Sequence, residues 1–282
     1  MAFFSRQDAR ESFSHTRSSK AFSGLRADSA NIYLKGLKME DIRVDENFEI
    51  DRPHNTGRLY NFLIDYKFET ALKAVPFPIK GLAVLDMCCG SGMISEYYSG
   101  HGAKVSGIDL SKESIQRAIK RKAKYGFEAT FEAGNATELP FANSSFDVVS
   151  VHDGLHHINE PWKAFEEMTR IAKKAVVIIE PAKSFLTRIS VCLGISADYE
   201  GDDFVYRFDE EEIKQWLSKD PTIKEIKTKR YIMYYPHKPG PVFSILGLPF
   251  VFQLAKLFFY LVNILFGSFG NKIQAIAIKR VD

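Results

Sequence analysis

The sequence predicts an α/β fold with a doubly wound, mainly parallel sheet, and three observations carry that prediction. Short β-branched runs alternate with helical stretches of about 10–15 residues between positions 75 and 182. The first run ends in a Gly/Ser cluster that opens a helix. Apolar residues make up 45% of 282 positions, enough for a sizeable core.

The predicted strands are Leu82–Met87, Ala103–Asp109, Phe127–Ala133, Phe146–Val151 and Ala175–Glu180. Two later strands, Ile223–Tyr235 and Lys272–Lys279, complete the sheet. Helices are expected over Ser91–Ser99, Ser111–Tyr125 and Glu160–Lys174, with Ser111 as a start signal and Pro161 in a first turn. Asp209 followed by Glu212 forms a capping-box pattern within Arg207–Lys219, and Pro221 stops that helix. Thr56–Ala74 has helical apolar spacing and ends before Pro76. The organisation that follows is an N-terminal arm and helical lid (1–74), a core (75–182) and a C-terminal part (183–282) holding a substrate cap, the last two strands and an apolar insertion over 241–270.

Composition narrows the function. Lys plus Arg total 38 against 35 Asp plus Glu, a balance of +3 that gives no electrostatic footprint for nucleic acid, and no nucleic-acid partner is expected. Three cysteines make no disulfide framework, so the chain reads as cytoplasmic. The N-terminus lacks the apolar run of a secretory signal, and its Ser/Arg-rich stretch 5–29 reads as a loosely docked arm. No metal site is expected.

The segment 241–270 holds a single charge, Lys256, and eight aromatic residues. It is long enough to raise a membrane-spanning reading. On a helix over Phe250–Phe266, however, Gln253, Lys256, Tyr260 and Asn263 line one narrow stripe. A spanning helix needs no such stripe. An amphipathic helix lying in a membrane interface does, with His237, Lys238 and Lys272 near its ends to meet anionic headgroups. The alternative is a helix buried against the core or in a homodimer interface.

The densest chemical signal is VLDMCCGSG at 84–92. A Gly-rich turn between a strand and a helix lets a ligand approach the backbone. Its Gly-x-Gly spacing lacks the third glycine of a dinucleotide fingerprint, and no Lys-Ser/Thr pair makes a P-loop. Asp86 ahead of the turn would repel phosphate and favour a cationic ligand such as an ammonium or sulfonium. Asp109, about 20 residues on, ends the second strand, where a carboxylate takes ribose hydroxyls. Asn135 and Ala136 follow the third strand and suit an adenine, with Asn135 reading its amino group.

VLDMCCGSG, GIDLS, GNATELPF and FDVVSVHDGLHHI, in that order, closely resemble the class I S-adenosylmethionine-dependent methyltransferases, in particular the branch that includes ubiquinone- and menaquinone-pathway enzymes. The resemblance implies a Rossmann-like, seven-stranded sheet and S-adenosyl-L-methionine as cofactor. It implies that Asp86, Gly90 and Gly92 hold the methionine part, Asp109 the ribose, and Asn135 and Ala136 the adenine, with Cys88 and Leu110 also against the cofactor. His152 would line the sulfonium side. Cys88 stands where the family has Gly, so the turn is expected to survive only if Cys88 keeps negative φ. Asn135 replaces the usual Asp.

Methyl transfer needs mainly positioning and exclusion of water, with a base only where the acceptor carries a proton. His152, Asp153 and His156 are the candidate catalytic groups; the plain alternative for His156 and His157 is capping or packing. Tyr60, Tyr66, Tyr199, Tyr206 and Arg207 are candidate substrate contacts, with core packing as their alternative. The expected acceptor is an O or C centre of a hydrophobic or lipid-linked molecule met at a membrane. Two rivals remain at this point: a non-catalytic cofactor-binding assembly protein docked at a membrane, and a nicotinamide oxidoreductase.

Overall fold

In a computed structural model, described over residues 46–192, 199–200, 203–204, 206–234 and 239–280, seven strands form one sheet. They are β1 (Ala83–Met87), β2 (Lys104–Asp109), β3 (Ala129–Ala133), β4 (Phe146–His152), β5 (Ala172–Pro181), β6 (Ile223–Tyr231) and β7 (Lys272–Lys279). Their order is β3-β2-β1-β4-β5-β7-β6. The first five are parallel, and β7 runs antiparallel between β5 and β6. Residues 45–282 form one compact unit. The N-terminal arm, His237 and Lys238 lie outside the described residues.

The crossovers require helices on both faces. These are α1 (Glu46–Asp51), α2 (Arg58–Ala74), α3 (Met93–Gly100), α4 (Lys112–Tyr125), α5 (Pro161–Ile171), α6 (Phe185–Cys192), α7 (Glu210–Leu217), α8 (Pro241–Leu246) and α9 (Pro249–Phe266). Alternate residues of each strand face opposite layers. Leu85, Met87, Val149 and Val151 pack with Phe165 and Met168 of α5 and Leu217 of α7. Val84, Val148 and Val177 pack with Tyr60, Ile64 and Phe68 of α2 and Tyr98 of α3. Arg121 of α4 is fully buried and donates to the carbonyls of Glu49, Ile50 and Arg52 and to Glu96. It thereby satisfies carbonyls at the end of α1 that have no intrahelical partner.

Local signals hold at several ends. Ser111 caps α4, its Oγ accepting the Ser114 amide at 3.1 Å. Ser111→Ala is expected to lower stability by about 1 kcal/mol, measured as a shift of the urea midpoint. Asp209 and Glu212 form the capping box of α7, which covers Glu210–Leu217 rather than the whole of 207–219. Other boundaries differ more. Helix α5 stops at Ile171 and β5 begins directly at Ala172, three residues before its expected start. Strand β6 ends at Tyr231 because side chains replace ladder partners beyond it. Asn263 accepts from the Ile232 amide and donates to its carbonyl, and Asn271 does the same for Met233. Gly270 is required there, since a Cβ would stand 2.2 Å from the Tyr231 backbone.

The apolar insertion is helical, but its polar stripe points the other way from a water-facing edge. Lys256 sits over the Phe62 ring, Tyr260 packs against Phe62 and Tyr66, and Asn263 bonds residue 232. Lys256, Tyr260 and Asn263 of the stripe meet α2 and the end of β6 and Gln253 is exposed, while Phe250, Leu254, Leu257, Phe258, Leu261 and Ile264 face outward. Burial against the core therefore accounts for one face of α9 only. Lys272 is not available to headgroups, because its ammonium pairs with Asp153.

Candidate functional site

The direction of sheet winding reverses between β1 and β4, and a crevice opens outside the carboxyl ends of strands at such a point. The loops after β1, β2, β3 and β4 all end at that edge. They carry 88–92, 110–111, 134–136 and 153–157 respectively.

The first loop turns through three positive φ values, at Cys88 (58°), Gly90 (54°) and Gly92 (78°). Cys88 thus departs from the negative φ expected of it. A non-glycine residue there is strained, and such strain concentrates where a loop is shaped for a ligand. The Cys88 side chain is packed against Gly154, where an added Cβ would lie 2.4 Å from that of Cys88. Burial pushes its thiol pKa well up. Cys88 therefore contributes backbone shape rather than a reactive sulfur. Gly92 is required for space as well as for φ, because a Cβ would press on Ala118 and Phe131 at 3.1 Å.

Asp109 joins the first two loops. Its Oδ2 accepts the Gly90 amide at 2.9 Å and its Oδ1 accepts the Ser111 amide at 2.9 Å. Each oxygen keeps a second lone pair for an incoming hydroxyl. Beside it Leu110 is 77% exposed. Asn135 differs from expectation in detail. Its Oδ1 already accepts from both the Thr137 amide and hydroxyl. The acceptor needed for an adenine amino group is engaged, so Asn135 offers its NH₂, a donor that suits a ring nitrogen. Ala136 is buried beneath the loop.

Asp86 faces the α2/α3 layer and accepts the Ser95 hydroxyl at 2.6 Å. Burial raises its pKa to about 7, with the charge of Asp109 adding to the rise. A bound cation would favour its ionised form. Donor affinity is therefore expected to climb about eightfold between pH 6 and 7.5 as the empty site loses its proton, and Asp86→Asn should flatten that slope in calorimetry. An unchanged slope would separate Asp86 from the ligand.

The end of β4 carries the three candidate catalytic groups, each in a different state. His152 is buried, its Nε2 within 2.7 Å of Ser150 Oγ and 3.2 Å of Tyr98 Oη. Burial first, and then the charge of Lys67, hold its pKa well below the usual histidine value, so the ring is neutral. Its Nδ1 is buried without a hydrogen bond. Asp153 accepts from Lys67 of α2 and Lys272 of β7, both at 2.5 Å. Burial opposes its charge, but Lys272 and Lys67 outweigh that and hold its pKa well below the carboxylate range. It is a lid anchor and a poor proton acceptor. His156 Nδ1 lies 2.8 Å from Glu180 Oε2. Burial works against its protonation, yet the Glu180 hydrogen bond and charge prevail and raise its pKa.

Several residues that matter were not singled out from the sequence. Glu180, fully buried at the end of β5, accepts the Gly154 and Leu155 amides at 2.9 and 2.8 Å as well as facing His156. An acid closing the apolar run AVVIIE was the available signal. Lys67 and Phe68 are the lid residues that reach the site, Phe68 lying edge-on to His152. Of the expected substrate contacts, Tyr60 is fully buried and packs edge-on to Phe243, so it belongs to the core. Tyr66 lies among Phe62, Phe259 and Tyr231, away from the loops of the crevice. Tyr206 is near the crevice, its amide reaching the His156 carbonyl at 3.4 Å and its hydroxyl donating to Glu212. Arg207 follows it and is half-buried. Tyr199 belongs to a short ribbon, Tyr199–Glu200 paired with Asp203–Phe204, and its side chain lies outside the described residues. Among the described residues no group of three or more His, Cys, Asp or Glu has metal-holding geometry.

A doubly wound sheet with an antiparallel seventh strand, a Gly-x-Gly turn and a carboxylate at the end of β2 defines a nucleoside-binding α/β class. The comparisons with known proteins specify it. Residues 85–179 match the family described as "Methyltransferase domain". Demethylmenaquinone methyltransferase of Renibacterium salmoninarum is 41% identical over 103 residues, covering 36% of this chain and 40% of that protein. That of Paenarthrobacter aurescens is 32% identical over 158 residues, covering 49% of this chain and 61% of that protein. The chain thus spans between two-fifths and three-fifths of these relatives. Magnesium protoporphyrin IX methyltransferase from Synechocystis, solved with bound SAH, superposes with TM-score 0.55 and 17% identity over 84% of this chain and 94% of its own length. Over residues 85–179 the chain is similar to the methyltransferase-domain family, and over part of its length it is similar to demethylmenaquinone and ubiquinone/menaquinone methyltransferases.

The residues present fit the cofactor of that class, S-adenosylmethionine. A buried carboxyl whose ionised form a cation would favour opens the strained turn, and Asp109 beside it keeps lone pairs for hydroxyls. The neutral His152 retains an unpaired buried nitrogen.

Proposed function

We propose that this chain transfers the methyl group of S-adenosylmethionine to an O or C centre of a hydrophobic, quinone-like small molecule. The observation that carries the cofactor side is the 2.9 Å bond from the Gly90 amide to Asp109, which fixes the turn and the hydroxyl-binding carboxylate as one cradle. The cofactor supplies an already activated methyl on sulfonium. The chain's part is to bind and orient it, to exclude water beneath α2, and to accept a proton where the acceptor carries one. Among the three candidates His152 is the one with a ring nitrogen unengaged, so it is the candidate for that last task, although burial leaves it a weak base. Asp153 is committed to two lysines, and His156 is held toward its charged form.

The acceptor class rests on the likeness to demethylmenaquinone methyltransferases. The same likeness favours turnover over a purely binding role, and the missing third glycine disfavours a nicotinamide cofactor. The test is transfer of a labelled methyl from S-adenosylmethionine into reduced, isoprenoid-bearing quinones presented in mixed micelles. Labelled product with release of S-adenosylhomocysteine is expected. Tight donor binding without turnover on any quinol would overturn the acceptor assignment, and preferential stabilisation by NAD would overturn the cofactor assignment.

A further inference from the structure

We propose that α8 and α9 form a monotopic docking surface for an anionic lipid bilayer, with the chain lying on the membrane rather than crossing it. Pro249–Phe269 is long and apolar enough to span a membrane by composition. Its packing in the fold excludes that use. One face of α9 is held against α2 through Phe252, Phe259 and Tyr260, all of which contact the Phe62 ring. Asn263 pins its last turns to residue 232, and Gly270 lies directly on Tyr231 before β7 begins. A helix fixed along one face to a water-soluble sheet layer offers only its other face to lipid.

That other face is continuous. Phe250, Leu254, Leu257, Phe258, Leu261 and Ile264 recur at helical spacing and are exposed, Phe250, Phe258 and Ile264 by 76, 68 and 77%. Helix α8 extends it with Val242 and Ile245, 64 and 58% exposed. Eighteen residues give a length of about 27 Å. A patch of this extent far exceeds scattered surface apolar residues.

Charge selects the occupant. From residue 226 to residue 280 the chain holds eight Lys and Arg and no Asp or Glu; Lys227, Arg230, Lys272 and Lys279 pair with acids outside the segment, whereas Lys229, Lys256 and Arg280 have no ion-pair partner among the described residues. Alongside Tyr260 opens a cleft of about 390 Å³ lined by Lys73, Lys227, Lys229, Tyr66 and Gln274, with Glu69 its only acidic lining. Lys229 has no ion-pair partner among the described residues, and Gln274 Oε1 is buried without a hydrogen bond. A second copy placed face to face by a twofold axis would bring the same acid-free segment and set cations against cations. A bilayer with anionic lipid sets phosphates against them, with roughly 1 kcal/mol per lysine near the surface. Bilayer contact does not depend on methyl transfer, so it can be read without donor or acceptor.

The experiment is co-sedimentation of the full chain with vesicles of phosphatidylcholine alone and of phosphatidylcholine with about one-third phosphatidylglycerol, to mimic an anionic leaflet. Binding is expected to the anionic vesicles and to weaken in high salt. Ile264→Asp and Phe258→Asp, both on exposed side chains, should each lower partitioning about tenfold while leaving calorimetric donor binding unchanged. Lys229→Gln with Lys227→Gln should lower it about twenty-fivefold on anionic vesicles only, about fivefold per cation. The proposal fails if the chain stays in the supernatant with both vesicle types, or if sedimentation ignores the Asp substitutions. It also fails if the chain is a concentration-dependent dimer that Ile264→Asp dissociates without any vesicle binding.

Discussion

Glu180→Ala is expected to lower the free energy of unfolding by about 3–5 kcal/mol, read from urea denaturation at pH 7. The carboxyl is fully buried and receives the amides of Gly154 and Leu155 while facing His156 at 2.8 Å. Removing it leaves two buried donors unpaired and a histidine without its counter-charge. The same contact predicts a pH dependence of definite sign. His156 has a raised pKa in the fold, so its contribution is fully present below the unfolded value near 6.5 and is lost as pH rises through the folded value. His152, buried with a lowered pKa, contributes the opposite way: its share is present above about 6.5 and lost as pH falls through its folded value. In Glu180→Gln the amide oxygen can still accept the two backbone amides, so the overall loss should be smaller, but the alkaline decline owed to His156 should vanish. A Glu180→Ala midpoint equal to that of the parent chain would show that the loop after β4 is held by something else.

What was legible beforehand divides along the distance between partners in the chain. The 84–92 turn was legible because its strand, glycines and helix start are contiguous, and Asp109 because its spacing from the turn follows from one helix and one strand. Capping of α4 by Ser111 and of α7 by Asp209 involves residues three apart and was read directly. Glu180 acts on residues 24 to 26 positions away, and Lys67 on one 86 positions away. No local periodicity encodes such pairings. The stripe on α9 shows a subtler limit. Helical spacing reveals that polar residues share a face but is silent on which face meets the body. That sense was set by Phe62 and Tyr66 on a helix almost 200 positions earlier. The conformation of Cys88 was missed for a related reason: its side chain packs against Gly154 of the loop after β4, a neighbour 66 positions away.

Asp109→Ala should weaken S-adenosylmethionine binding by about 1–3 kcal/mol, or roughly 5- to 150-fold in Kd. Two losses add in that variant. A carboxylate that takes hydroxyls as charge-assisted donors disappears. The 2.9 Å tie to the Gly90 amide goes with it, freeing a turn whose three positive-φ residues are costly to hold. Asp109→Asn separates the two contributions. Its amide oxygen can keep the tie to Gly90 or accept one hydroxyl, but the charge is gone, so its Kd should fall between those of the parent chain and of Asp109→Ala. Calorimetric titration at pH 7.5, where Asp86 is mainly ionised, isolates the effect from the proton linked to that residue. The side chain is only partly buried and lies at the sheet edge, so the urea midpoint should move far less than the affinity. Equal donor affinity in all three proteins would remove Asp109 from the site, and with it the cradle on which the cofactor assignment stands.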